Sequence, residues 1–390
     1  MWKAAIEAIQ QNNTEWLHKN RLIFQQFFFQ QNLKPQGQLS KEALTHHYQG
    51  KLFKLFLAED YQGLALDLHQ GAKWIENASF LDGNWGWLLG IGVGGAYFAD
   101  YCDEEIAQQY FSAENAIVAG SGKPCDQAKP AENGFEITGN WKYCSGSEQA
   151  SFFTAVTLVD KKPQAFIIPT SLAKIKQDWN AIGLPLTCSH SIEVEKALIP
   201  KNYFFDLSQP PRKNNYPIST YSFLGFAMAC FAPVITGITK SLFHDAENFL
   251  TTKKDVWQTY QPERFQLISK KIEKVKIEIE KRSDTFYQVV EKSWNSHLQQ
   301  KNTLQDELMN SGQNLADYCY AEACAIIPLL GMDAIEKTAE IQKQFQMMPG
   351  QEKMVKDYYE KNPSAIASLR GSIYEEKIID EIKKQTNANV

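Results

Sequence analysis

Between residues 116 and 205 the hydropathy of this chain changes period, from the three-to-four spacing of helices to the alternation of strands. On either side the spacing is helical, so the chain has to fold as a helical frame around one β insert. Within the insert, Phe135-Glu136-Ile137-Thr138 alternates apolar and polar and is entered from the turn Asn133-Gly134. Ser151–Val159 is an apolar, β-branched run, and Phe166-Ile167-Ile168-Pro169 ends another strand. Ile192 and Val194 alternate with Glu193 and Glu195.

Before the insert, Ala5, Ile6, Ile9, Trp16 and Leu17 form one apolar face, Leu22–Phe29 a denser one, and Leu52–Leu57 a third. After it comes the linker Pro210-Pro211-Arg212-Lys213-Asn214-Asn215. Phe223, Phe226, Ala227, Cys230 and Ile235 are then expected core positions. Ile268, Ile272, Val275, Ile279, Phe286, Val289 and Val290 form the buried stripe of a long helix with a Lys/Glu-rich outer face. Gly90-Ile91-Gly92-Val93-Gly94-Gly95 looks like a dinucleotide loop, but no strand precedes it and no acidic residue closes a βαβ unit. Close helix packing, or room beside a ligand, is the better account of these glycines.

The stretch richest in chemistry is Gly139-Asn140-Trp141-Lys142-Tyr143-Cys144-Ser145-Gly146, at the end of a strand. Aromatics and a hydroxyl bracketed by glycines suit a flat ring with a hydrogen-bonding edge; they equally suit a hairpin with core aromatics. Gly-x-Trp-x-Tyr-x-Ser-Gly resembles the middle β-domain of the acyl-CoA dehydrogenase superfamily, especially its flavin-dependent two-component monooxygenase branch. A second run, Trp179-x-x-x-Gly183-Leu184-x-x-Thr187-x-Ser189-His190-Ser191, resembles the closing strands of that domain.

The resemblance implies a mainly α chain with a central β domain. It would have a helical N-terminal domain (1–115), a barrel-like β middle (116–208), a four-helix-bundle C-terminal domain (216–343) and a helical tail (344–390). It also implies a flavin, FAD or alternatively reduced FMN, with Ser121, Trp141, Tyr143, Ser145 and Ser189 as cofactor-binding residues. The expected activity is acyl-CoA dehydrogenase-like oxidation of a CH–CH group in an acyl-CoA or related small substrate. Two alternatives stand beside it: a reduced-flavin two-component monooxygenase, and a non-catalytic helical interaction protein with a degenerate flavin site.

A dehydrogenase needs a carboxylate base beside the substrate α-carbon. Family spacing from Gly331 lands on Glu352, with Glu263 as an alternative, while a monooxygenase would use His190 near the oxygen-carrying edge. The family's Arg-Asp pair on the last helix is missing. From about Gln344 the chain is instead similar to the C-terminal end of trigger factor: Pro349-Gly350-Gln351-Glu352, Tyr358-Tyr359-x-Lys361-Asn362-Pro363 and Ala365–Arg370.

Composition sets the remaining expectations. At 390 residues, 44% hydrophobic and 22% charged, the chain can bury a substantial core. A net charge of −5 carries no basic footprint for nucleic acid. Seven scattered cysteines show neither a CxxC nor a metal-ligand spacing, so no metal site and reduced thiols in a cytoplasm are expected. The apolar stretch Trp85–Phe98 is broken by glycines, which argues against a membrane span. A homo-oligomer is expected from the family resemblance.

Overall fold

The computed structural model describes residues 1–348 apart from 32–37, 126–127, 182, 214–215, 302–303, 332–333 and 335–339. Met1–Pro349 forms one compact unit, and residues 350–390 lie outside the described residues. Glu352 therefore lies outside them too.

Among the described residues the α-helices before the sheets are α1 (Trp2–Gln10), α2 (Thr14–Gln31), α3 (Lys41–Gln49), α4 (Leu68–Leu81), α5 (Gly83–Gly94) and α6 (Glu104–Phe111). Eight strands follow, β1 (Val118–Ser121), β2 (Lys129–Ala131), β3 (Gly134–Cys144), β4 (Phe152–Val159), β5 (Lys162–Pro169), β6 (Lys174–Lys176), β7 (His190–Pro200) and β8 (Phe204–Phe205). The chain returns to helix with α7 (Pro217–Thr220), α8 (Phe223–Thr252), α9 (Lys254–Tyr260), α10 (Pro262–Leu298), α11 (Gln305–Leu330) and α12 (Glu340–Met347).

The strands form two four-stranded sheets, ordered β1-β4-β5-β8 and β2-β3-β7-β6. Among the described residues β1 and β4 run parallel and the other pairs are antiparallel. Both sheets contribute to one apolar core, with Ile137, Trp141, Ile192 and Val194 from one and Phe153, Ala155, Phe166 and Ile168 from the other. The alternation read in β7 places Ile192 and Val194 in this core and Glu195 outside, as a half-buried strand requires.

Helix α8 is the axis of the helical part, packed against α4, α5, α10, α11 and α12. It is long and apolar enough to cross a membrane by length and composition, yet most of that surface is covered by its neighbours. The stripe expected on α10 is buried as a whole. Two expectations for apolar faces do not hold. Leu22, Ile23 and Phe29 are exposed because the inward face of α2 is the one that carries Leu17, Arg21, Phe24, Gln25 and Phe28. On α8, Phe226 and Cys230 are core, whereas Phe223 and Ala227 face a cavity.

The entry to α5 is tied down by polar groups. Asp82 caps the helix, its Oδ1 accepting from the backbone N–H groups of Asn84 (2.9 Å) and Trp85 (3.2 Å). Burial raises its carboxyl to about 6 against these hydrogen bonds. Asn84 in turn accepts the N–H of Leu186 at 2.9 Å, which anchors the loop carrying Thr187. The glycines of α5 serve packing: a Cβ on Gly86 would lie 1.9 Å from Ser79 Oγ, and one on Gly92 would lie 2.5 Å from Phe53.

Candidate active site

Two features meet where α5 passes the sheets. The first is a chain of hydroxyls. Trp87 Nε1 donates to Ser145 Oγ at 2.9 Å, Ser145 and Ser189 hydroxyls are 2.8 Å apart, and Ser189 and Thr187 hydroxyls are 2.7 Å apart. Thr187 Oγ1 donates to the Leu184 carbonyl at 2.9 Å. Each hydroxyl has a single hydrogen, which fixes the direction of the whole ladder. Thr187 has given its hydrogen to Leu184, so Ser189 donates to Thr187 and Ser145 donates to Ser189. Ser145, 6% exposed, is left with an unused acceptor lone pair and no spare hydrogen.

The second feature is a cavity of about 390 Å³ between α5, α8 and the β1-β4-β5-β8 sheet. Phe98, Phe205, Phe223, Phe226 and Phe231 supply its aromatic wall, and Ser121 and Thr154 supply hydroxyls. Trp87 links the two features, because its indole stacks on Phe231 (5.7 Å, 22°) while its N–H heads the ladder.

Of the residues expected to meet a cofactor, Tyr143, Ser145 and Ser189 stand together. A register shift between Trp141 and Cys144 makes room for an extra residue in β3, and Tyr143 takes up a left-handed φ of 67° there. Its ring is 71% exposed, flanked edge-on by Trp179 at 6.3 Å. An exposed aromatic on strained backbone is a platform without a packing role, since such strain persists where the surroundings impose it. Ser121 sits apart from the ladder, on the cavity wall, where its Oγ accepts the Lys123 N–H.

Trp141 is not on the platform. It is buried in the β core and donates to the Val156 carbonyl at 2.7 Å; residues two apart share a face of a regular strand, so it is the extra residue at the register shift that exposes Tyr143 while Trp141 stays inward. His190 is also a core residue. Its Nδ1 accepts the Trp179 N–H at 3.0 Å, which leaves the proton on Nε2, and that atom has no partner among the described residues. It is not part of the cavity wall, so it holds the loop around Trp179 in place. Glu263 is exposed on the first turn of α10, away from the cavity. Trp87, Phe231 and Gly94 were not singled out as site residues. Trp87 lies in the first half of α5, but nothing local in the sequence shows which way its ring points.

No family model matches the chain. It is similar to the indole-3-acetate monooxygenase of Pseudomonas putida, 26% identical over 267 residues that take in 66% of this chain and 68% of that protein. Among solved structures it superimposes on the HsaA monooxygenase from M. tuberculosis with a TM-score of 0.72 at 15% identity, covering 89% of this chain and 92% of that one. The fold is that of monooxygenases built on the acyl-CoA dehydrogenase architecture. XiaF from Streptomyces sp., in complex with FADH2 and glycerol, shares this monooxygenase fold with a TM-score of 0.71, at 13% identity, covering 88% of this chain and 91% of that one. The C-terminal run is a separate match, 73% identical over 48 residues to the trigger factor of Pelagibacter ubique. It takes in 12% of this chain and 10% of the chaperone, and α12 runs through residue 344, where the similarity was expected to begin.

The residues present fit the ring system of a flavin. Tyr143 offers a stacking face, Ser145 an acceptor at the ring edge, and Gly122 a stretch of backbone on which a Cβ would meet nothing within 4 Å.

Proposed function

We propose that this protein is the oxygenase component of a reduced-flavin-dependent monooxygenase acting on a small organic substrate. The observation that carries this reading is the polarity of the hydroxyl ladder. An acceptor with no spare hydrogen suits a ring whose central nitrogen bears N–H, which is the reduced flavin; the oxidised ring offers a lone pair there and would face another lone pair. This favours flavin arriving reduced over FAD held resident in its oxidised form. It also weakens the dehydrogenase reading, because no carboxylate lines the cavity among the described residues to serve as the base.

When bound, the reduced flavin supplies two electrons to dioxygen, so that one oxygen atom enters the substrate and the other leaves as water. The chain's own contribution is placement. Ser145, held by Trp87 and Ser189, would accept at the ring edge, and Tyr143 would cover one face of the ring. The phenylalanine wall keeps water from the reacting edge, where it would divert the oxidant.

The test is an anaerobic titration of the purified protein with photoreduced FMN and with FADH2, each compared with its oxidised form. Mixing with 18O-labelled dioxygen and indole follows. Reduced flavin should bind at least tenfold more tightly than oxidised, Tyr143→Ala should weaken it, and the product should carry one labelled oxygen. A folded protein that retains neither redox form would instead support the scaffold reading, which the missing Arg-Asp pair favours.

A further inference from the structure

The cavity beside the ladder has a composition that restricts what can enter it. Its wall carries aromatic rings, aliphatic groups and backbone, two hydroxyls, and the Cys230 thiol, whose ionisation burial suppresses. Among the described residues no lining side chain bears a charge, and Lys123, the cation next to Gly122 in sequence, is exposed and outside the wall. A carboxylate in such a space would be stripped of water with no cation to replace it. The volume of about 390 Å³ lies within the range of small-molecule sites, roughly 300–1,000 Å³.

Two lining glycines leave this space open, Gly122 after β1 and Gly94 on α5, and only the second sits in a helix. Gly94 closes α5 with ordinary right-handed helical backbone, so glycine is not needed there for conformation. A Cβ built on it meets nothing within 4 Å, in contrast to Gly86, Gly92 and Gly95 of the same segment, where a Cβ would collide with Ser79, Phe53 and Val118. Those three glycines are explained by packing; Gly94 is explained by the cavity it lines.

Resting on the reading above, we propose that the cavity takes an uncharged, fused-ring aromatic or heteroaromatic molecule, and that Gly94 is the specificity-determining residue that leaves room for its second ring. Ser121 and Thr154 are the hydroxyls that orient a ring N–H or phenol. Side chains introduced at Gly94 would project into the space the ring occupies without straining the helix.

The test is calorimetric binding of indole and of indole-3-acetate to the purified protein, with and without oxidised FMN, in wild type, Gly94→Ala and Gly94→Leu. Circular dichroism checks that each variant is folded. Indole should bind at least tenfold more tightly than its carboxylated analogue, Gly94→Ala should bind it slightly less well, and Gly94→Leu at least tenfold less well. Equal or tighter binding of indole-3-acetate, an unchanged indole affinity in a folded Gly94→Leu, or no binding of either ligand would each overturn the proposal. Indole binding that obeys this pattern without hydroxylation would leave the cavity assignment standing and remove the oxygenase reading. Hydroxylation of indole-3-acetate in preference to indole would do the reverse.

Discussion

Replacing His47 with glutamine should remove a distinct part of this protein's acid sensitivity. His47 is fully buried, stacked on Phe53 at 5.4 Å and edge-on to Trp2 at 5.1 Å. Its Nδ1–H donates to the Ala43 carbonyl at 2.6 Å, while Nε2 accepts the Trp85 Nε1–H at 2.8 Å. Protonating Nε2 would turn that acceptor into a donor facing another donor and would place a charge among aromatic rings. Burial accordingly lowers its pKa from 6.5 to about 4. Because the folded state resists protonation and the unfolded state does not, this stability is fully present above pH 6.5. It is lost as pH falls towards 4. The shift corresponds to about 3 kcal/mol in full, at ~1.4 kcal/mol per pKa unit, of which about 2 kcal/mol is lost by pH 4.5. Urea unfolding at pH 7 and pH 4.5, in wild type and His47→Gln, isolates this amount. Glutamine does not titrate, and other shifted groups, such as Asp82 with its opposite sign, are common to both proteins. The wild type should lose about 2 kcal/mol more than the variant across that interval. Equal losses would refute the reasoning.

Three further outcomes follow from named contacts. Ser189→Ala frees the Ser145 hydrogen to point at a ligand, so the preference for reduced over oxidised flavin should fall at least threefold in an anaerobic titration, with indole affinity unchanged. Asp245→Ala strips the partner from Arg21, which is fully buried on α2 and ion-paired to α8; chemical denaturation should show a loss of about 3–5 kcal/mol. Asn84→Ala leaves the buried N–H of Leu186 without its acceptor and should cost about 1–3 kcal/mol, with faster amide exchange through residues 186–189 as the local signature.

Periodicity is a local property of a chain, so the sequence by itself determined the β insert, the flanking helices and the buried stripe of α10. The glycines bracketing the Tyr143 strand suggested a bend, but not that Tyr143 itself would take the left-handed conformation. The dehydrogenase reading drew on the order of motifs along the chain, which follows the fold and does not by itself separate the two chemistries. What only the tertiary structure decided was where side chains distant in sequence meet. Trp87 reaches Ser145 across 58 residues, and Ser145 reaches Ser189 across 44. The direction of the ladder exists only once the Leu184 carbonyl has taken the first hydrogen. Likewise, the bulge that separates Tyr143 from Trp141, and the open space beside Gly94 that its neighbouring glycines lack, depend on which surfaces pack against them. A hydrogen bond or a cavity belongs to two or more segments at once, and no one of them encodes it alone.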